Sequence, residues 1–211
     1  GSVAEPTVEV DIGLKQALRS RTFWHVALPI MCQWMVLTAV VTHVMPYLSS
    51  IGVTRSMSSL VVTAVPLLSI GGRLGFGWLG DNVGKNGVAA GAFALVALGL
   101  LCFGYAPFGG TWLLVPFCIL FGIGFGGNNT IRGVLLWEYF GRSNFGAIYG
   151  FLVGIMALGG VVGPPLAGWV FDTWGSYQSI WFVFAGLTLI ALTVIATTPR
   201  VSTTVQTIDK M

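Results

Sequence analysis

The sequence contains very little charge. Only 8% of its 211 residues are Asp, Glu, Lys or Arg, whereas soluble domains carry about 25%. Hydrophobic residues make up 55% of the chain, and the mean hydropathy is +0.86. A water-soluble fold of this size needs far more charge to cover its surface. The composition therefore excludes soluble and disordered classes and predicts a polytopic membrane protein.

The sequence also lacks the residue sets that enzymes and metal sites need. Its three cysteines, Cys32, Cys102 and Cys118, lie far apart in apolar stretches without CxxC or Cys/His spacing. We interpret them as small core residues. The apolar stretches contain no Ser/His set, no paired Asp and no His/Glu metal set. We therefore expect no catalytic residues, no metal, no cofactor and no nucleic-acid partner.

What the chain does contain is a series of six long apolar runs. Crossing the hydrocarbon core takes about 20 apolar residues, and the backbone polar groups must be satisfied within the segment. Each run is therefore predicted to be a transmembrane α-helix. The predicted spans are Phe23–Leu48, Met57–Leu79, Gly87–Ala106, Thr111–Leu136, Phe145–Phe171 and Tyr177–Thr198.

The basic residues between the spans predict the orientation of the chain. An even number of spans places both termini on one side, and that side also carries nearly all the Lys and Arg of the loops. Arg55 is the one basic residue on the other side. The positive-inside rule therefore predicts that both termini are cytoplasmic, in a plasma membrane and, from the resemblance given below, a bacterial inner membrane.

Three regions follow from this pattern. Residues 1–21 form a cytoplasmic linker, residues 22–199 the six-helix transmembrane domain, and residues 200–211 a cytoplasmic tail. The chain begins with Gly1 instead of Met, so we expect a truncated start. Within the linker, Asp11–Arg21 is predicted to form a short basic amphipathic helix on the membrane surface, although a solvated linker is the plain alternative.

An internal repeat relates the two halves of the chain. The second span ends in Gly77–Gly84 and the fifth in Gly168–Gly175, and both segments read G-W-x-x-D-x-x-G, 91 residues apart. Three spans separate the copies, so they face opposite sides of the membrane. Two three-helix units of inverted topology are typical of secondary transporters. Chance similarity between Gly/Trp-rich helix ends is the alternative interpretation.

The segment from Gly77 to Lys85 resembles the G-x-L-x-D-x-x-G-[RK] loop signature of the major facilitator superfamily. In the fifth span, Gly159–Gly168 resembles the G-x-x-x-G-P-x-x-G pattern of the same superfamily. The segment from Ala17 to Leu48 is similar to the seventh helix of bacterial monocarboxylate and oxalate/formate carriers. The resemblance implies an all-α membrane protein that corresponds to the C-terminal six-helix half of a twelve-helix carrier.

The resemblance also implies roles for the residues of both motifs. The family's loop aspartate, here Asp81, docks against the first half and latches one state of the transport cycle. We therefore expect a conformational latch formed by Arg73, Gly77, Asp81, Gly84 and Lys85. Helix packing is expected at Gly159, Gly163, Pro164 and Gly168. The expected partner of this chain is the missing N-terminal six-helix half or a second copy.

Ionisable groups within the spans are candidates for substrate contact, because charge is costly in a bilayer. Arg73 and Arg132 are the only Lys, Arg, Asp or Glu residues inside the six runs. Arg132 is the stronger candidate because two asparagines share its part of the helix. We predict a substrate site made of Arg132, Asn128, Asn129, Gln33, His43 and Tyr149, with His43 as the candidate proton carrier. A polar patch that serves only helix packing is the alternative.

This half thus offers positive charge and amides to a cavity, and no acid. We therefore expect a secondary active transporter that works by alternating access on a small organic anion, such as a monocarboxylate. The sequence leaves symport, antiport and uniport open. The alternative function is a self-standing six-helix binding or scaffold subunit that dimerises.

Overall fold

The computed structural model describes residues 12–198, and this part of the chain is all α-helical. The first eleven residues of the predicted linker and the predicted tail, 200–211, lie outside the described residues. A short 3₁₀ turn, Thr111–Leu113, precedes α5. The helices are α1 (Leu14–Arg19), α2 (Arg21–Ser50), α3 (Arg55–Asn82), α4 (Lys85–Gly109), α5 (Leu114–Phe140), α6 (Phe145–Trp174) and α7 (Gln178–Ala196).

The six helices from α2 to α7 are long and apolar enough to cross a membrane, in agreement with the six predicted spans. Their ends differ from the apolar runs by a few residues. Helix α3 continues past Leu79 to Asn82, because backbone hydrogen bonds continue through the polar residues at its end. Helix α5 begins later than its predicted span, since the 3₁₀ turn occupies the first three residues.

Local signals explain where several helices begin and end. The Ser20 hydroxyl accepts a hydrogen bond from the backbone N–H of Phe23, at 3.2 Å, and so caps the start of α2. Helices α5 and α6 end at Gly141 and Gly175, which have positive φ angles of 75° and 66°. Glycine adopts this conformation without the penalty that a Cβ atom brings.

Two buried clusters define the two ends of the bundle. One cluster contains Phe23, Phe140 and Ile195, at the start of α2 and the ends of α5 and α7; we call this the terminal end. The other contains Tyr47 and Tyr177, together with residues at the end of α4 and the start of α5; we call this the opposite end. Successive long helices therefore alternate in direction.

The packing of the helices follows the inverted repeat. The first unit, α2–α4, and the second, α5–α7, exchange their middle helices: α3 packs mainly against α5, and α6 mainly against α2. Helix α4 packs against α7, which joins the two units along one side. The copy of the motif in α3 ends at the terminal end and the copy in α6 at the opposite end. The predicted fold class is thereby confirmed.

Helices α3 and α6 leave long apolar faces exposed. Both lie at the edges of the bundle, so one side of each helix is covered and the other is not. Large apolar side chains on these faces are between 58% and 73% exposed: Leu60, Leu67, Leu74 and Trp78 in α3, and Leu158, Val161 and Trp169 in α6. An uncovered apolar surface of this kind fits contact with lipid or with further helices.

Candidate functional site

Glycines bring α5 deep into the bundle. A Cβ atom on Gly126 would overlap the carbonyl oxygen of Ser69 in α3, and one on Gly124 would lie 2.8 Å from the carbonyl oxygen of Ala92 in α4. Both separations are too short for any side chain, so the backbones approach closely on two faces of α5. Asn128 and Arg132 follow Gly124 at successive helical turns and are thereby placed at the centre of the bundle.

A small polar cavity lies at this centre. Its volume is about 20 Å³, roughly the space for one water molecule. The polar side chains that line it are Gln33 from α2 and Asn128, Asn129 and Arg132 from α5. The walls between them are apolar and are formed by Ile30, Trp34, Phe93, Phe125 and Met156.

Three polar side chains of the cavity have unfilled hydrogen-bonding capacity. Gln33 is 5% exposed and Asn128 is 8% exposed, yet the amide nitrogen and oxygen of both side chains have no hydrogen-bond partner among the described residues. The Nε atom of Arg132 is buried and unpaired as well. Leaving a buried polar group unsatisfied costs about 1–3 kcal/mol. A cluster of such groups is typical of a binding site.

The guanidinium of Arg132 has no acidic partner. Its Nη1 atom lies 3.4 Å from the sulfur of Met156, and its Cζ atom lies 5.7 Å from the ring centroid of Tyr149. Both contacts are weak compared with a carboxylate bond. The one ion pair within residues 12–198 joins Lys85 to Glu138, at the terminal end. The charge of Arg132 therefore remains available to an anion.

The structure thus brings together five of the six predicted substrate residues and leaves His43 apart from them. The His43 ring lies at the opposite end, where its Nδ1 atom is 3.1 Å from the Tyr177 hydroxyl and its Nε2 atom is 2.9 Å from the Pro164 carbonyl oxygen. Gln33 and His43 share a face of α2, but ten residues separate them by roughly 15 Å along the helix. Helical periodicity predicts which face of a helix a residue lies on, but it does not predict that two residues on that face are close together.

The predicted packing residues lie where α6 crosses α2. Cβ atoms on Gly159 and Gly163 would overlap the carbonyl oxygens of Met31 and Met35. Pro164 offers its carbonyl oxygen to His43, and Gly168 faces the same imidazole ring. The glycines therefore allow α6 and α2 to cross closely, and the hydrogen bond of His43 joins the two helices.

The predicted latch residues are spread along the terminal end of α3 and the start of α4. Arg73 and Asp81 are exposed, and Gly77 and Gly84 lie between and after them. Neither the Arg73 guanidinium nor the Asp81 carboxylate bonds to another described residue. Lys85 instead pairs with Glu138 of α5, with 3.1 Å between Nζ and Oε2.

A second polar link at the terminal end was not predicted. The Tyr139 hydroxyl donates a 2.7 Å hydrogen bond to the side-chain oxygen of Asn86, and the Asn86 amide donates to the carbonyl oxygen of Thr198. This chain of bonds joins α5, α4 and the end of α7. The sequence does not indicate these partners, because they depend on how α4 packs against α5 and α7.

No metal site emerges from the geometry. Within residues 12–198, no three His, Cys, Asp or Glu side chains come close enough together to hold a metal ion. The chemistry that the cavity offers is one guanidinium, three amides and aromatic walls, which suits reversible binding of a polar solute.

Two inverted three-helix units around a polar cavity are the architecture of half a secondary transporter. The profile of the Major Facilitator Superfamily matches residues 2–131 and 31–209. The chain belongs to this superfamily. The crystal structure of the E. coli fucose:proton symporter FucP has the same fold, with a TM-score of 0.70 and 20% identity over 88% of this chain and 45% of that one.

Curated relatives include transporters of animals and plants. Monocarboxylate transporter 12 of Mus musculus is 33% identical over 150 residues, which cover 70% of this chain and 31% of the mouse protein. A low affinity inorganic phosphate transporter 4 of Petunia hybrida is 32% identical over 44% of this chain and 18% of its own length. The chain therefore spans less than half the length of these relatives.

Proposed function

We propose that the complete protein is a secondary active transporter that moves a small organic anion, such as a monocarboxylate, by alternating access. In this proposal the present chain supplies one six-helix half. The observation that carries the proposal is Arg132, a half-buried guanidinium in a polar cavity without an acidic partner. A buried charge without a counter-charge is costly, so an anionic substrate would offset that cost.

The chemistry of the cavity favours a carboxylate. A guanidinium presents parallel N–H donors that match the two oxygens of a carboxylate. The neighbouring amides of Asn128, Asn129 and Gln33 add donors without adding negative charge, and Tyr149 covers the guanidinium from α6. The name of the mouse relative, a monocarboxylate transporter, supports the same substrate class.

Alternating access requires a second bundle against which this one can rock. The exposed apolar faces of α3 and α6 fit such a neighbour, which would be an N-terminal six-helix half or a second copy of this chain. A self-standing scaffold subunit is less favoured because it gives the unpaired polar groups of the cavity no role. We propose no catalysis and no cofactor for either arrangement.

A latch at the terminal end would control the rocking motion. The side chains of Asp81 and Arg73 are exposed and have no partner within the described residues, so both are available to the neighbouring bundle. Asp81 lies in the last turn of α3, between Gly77 and Gly84, and Lys85 holds the start of α4 to Glu138. We propose that Asp81 docks onto the neighbour in one state and is released in the other.

We further propose that the protein lies in the plasma membrane with its terminal end in the cytoplasm. The inverted repeat makes Asn82 and Thr173 equivalent positions on opposite ends of the bundle. We expect Asn82→Cys to react with a membrane-impermeant thiol reagent only from the cytoplasm, and Thr173→Cys only from outside. Labelling of both cysteines from one side would contradict this orientation.

The proposed function is tested by substitution of Arg132. We expect Arg132→Gln to raise the KM for monocarboxylate uptake by roughly 100-fold, because the anion loses the charged partner that this six-helix half supplies. Arg132→Lys keeps the charge but loses the paired donors, so we expect a rise of about tenfold. Uptake would be measured in proteoliposomes that contain the complete protein.

A matched control is available on the same helix-loop segment. Arg142 lies outside the cavity, with its Cζ atom 4.8 Å from the ring centroid of Trp137. Arg142→Gln removes the same charge and should leave the KM within about twofold of the wild type. Equal KM values for wild type and Arg132→Gln would rule out Arg132 as the anion partner.

A further inference from the structure

Two amide side chains face the central cavity from different repeat units. Gln33 belongs to α2 of the first unit, and Asn128 belongs to α5 of the second. Both are at least nine-tenths buried, and all four of their amide atoms lack a hydrogen-bond partner among the described residues. Buried amides in proteins are nearly always paired. Two unpaired amides in one cavity therefore indicate a ligand group that they would share.

The hydrogen-bonding character of the amides defines that group. Each amide presents N–H donors and a carbonyl acceptor, so the pair offers donors and acceptors together. A ligand atom that only accepts would leave the two amide oxygens unpaired, and an alkyl group would leave all four atoms unpaired. A group that donates and accepts at once, such as a hydroxyl, can accept from the N–H of one amide and donate to the oxygen of the other, so that each side chain gains a partner.

The surroundings exclude a second charge on that group. Asn129 adds a further neutral amide to the lining, and the other walls are apolar, such as those formed by Ile30, Trp34 and Phe93. The only ionised group in the cavity lining is Arg132, which would repel an ammonium group. Because the carboxylate of the ligand would already occupy Arg132, a second carboxylate would have no charged partner there. The space of about 20 Å³ suits a group with one oxygen or nitrogen atom.

We propose that Gln33 and Asn128 form a neutral specificity subsite beside Arg132, which selects a carboxylate bearing a hydroxyl group. This inference rests on the proposed function, since Arg132 binds the carboxylate and the two amides bind the substituent. Carboxylates with an alkyl or a keto group in the same place bind more weakly, because buried amide atoms then remain unpaired.

The test compares acids of nearly equal size. The purified complete protein is titrated with butanoate, with 2-oxobutanoate and with three hydroxybutanoates that carry the hydroxyl on carbon 2, 3 or 4. The apparent Kd of each acid is obtained from the concentration dependence of its thermal stabilisation of the protein. We expect at least one hydroxybutanoate to bind about tenfold more tightly than both butanoate and 2-oxobutanoate.

Three variants locate the effect. Gln33→Leu and Asn128→Leu replace each amide by an apolar side chain of similar size. Both should bring the ratio of the butanoate Kd to the Kd of the tightest-binding hydroxybutanoate close to one. Gln178→Leu is the matched control, because that amide donates to the Gly104 carbonyl oxygen at the opposite end. It should keep the wild-type ratio. A ratio of Kd values does not depend on how much protein folds.

The outcomes separate this inference from the proposed function. If the acids bind and Arg132→Gln abolishes their binding, but hydroxyl groups give no advantage in the wild type, the subsite is refuted. The proposed transport function, with Arg132 as the anion partner, then remains supported. An advantage that survives in both leucine variants refutes the subsite in the same way. If no acid stabilises the wild-type protein, the proposed function and this inference fail together.

Discussion

The crossing of α2 with α6 and the crossing of α3 with α5 occupy equivalent places in the two repeat units. The 91-residue offset makes Gly163 of α6 the counterpart of Gly72 in α3. A Cβ atom on Gly163 would overlap the Met35 carbonyl oxygen, and one on Gly72 would overlap the Ile123 carbonyl oxygen. Both units therefore bring backbones into contact at this glycine, although Ile123 lies three residues before Gly126, the counterpart of Met35.

The crossings differ one turn earlier. Gly159 of α6 faces Met31 of α2, whereas the counterpart pair is Leu68 of α3 and Gly122 of α5. The small residue has moved from one helix to the other while the close approach is retained. This difference shows that the distance between the backbones is the conserved property of the repeat, and that either helix can supply the glycine.

The polar cavity lies where the two units carry different residues. The counterparts of Arg132 and Asn128 in α2 are Val41 and Leu37. Gln33 likewise corresponds to a residue without a side chain, Gly124 in α5. The glycines at the close contacts hold the helices together in both units. The polar groups that face the cavity come from positions where the two units carry different residues.

The largest effect is expected from breaking the shared contact. Gly72→Ala and Gly163→Ala each place a methyl group on a backbone oxygen that cannot move away without separating two helices. We expect each substitution to lower the free energy of unfolding by about 3 kcal/mol. Unfolding of the complete protein in mixed micelles would measure both values.

Glycines with open surroundings provide the controls. Gly71 in α3 and Gly154 in α6 have no atom within 4 Å of an added Cβ. Alanine at either position should leave stability unchanged or raise it slightly, because alanine favours the helix by up to 1 kcal/mol. A large loss at only one of Gly72 and Gly163 would show that the two crossings are not equivalent.

The sequence was sufficient to predict the fold. Apolar length predicted the six spans, and the two G-W-x-x-D-x-x-G segments predicted the inversion, because an odd number of spans reverses the direction of a helix. Helix ends were less predictable. Asn82 and Gly109 continue their helices beyond the apolar runs, since backbone hydrogen bonding at the membrane surface does not depend on hydropathy.

The candidate site was predictable only in part. The spacing of Asn128 and Arg132 on one helix face is local, and so is the cost of an arginine in an apolar run. The placement of Gln33 and Asn128 around one cavity depends on how α2 meets α5, which no local pattern specifies. For the same reason the sequence could not indicate that Lys85 meets Glu138 or that His43 meets Tyr177.

A smaller effect is expected from the polar ties of the two crossings. Pro164 and Arg73 are counterparts, and both carbonyl oxygens accept a bond from the facing helix: from His43 Nε2 at 2.9 Å and from the Thr130 hydroxyl at 3.4 Å. His43→Phe keeps a ring but loses the bonds to Pro164 and Tyr177, so we expect a loss of about 1 kcal/mol in unfolding free energy. Thr130→Val loses one long bond that its hydroxyl shares with the Gly126 carbonyl oxygen, and we expect a loss of about 0.5 kcal/mol or less in unfolding free energy.

The same unfolding measurement compares the variants, with Thr63→Val as the control, because that exposed hydroxyl bonds only within its own helix. A larger loss of unfolding free energy in Thr130→Val than in His43→Phe would contradict this expectation. It would show that the polar contact between α3 and α5 contributes more to stability than the shorter one between α6 and α2.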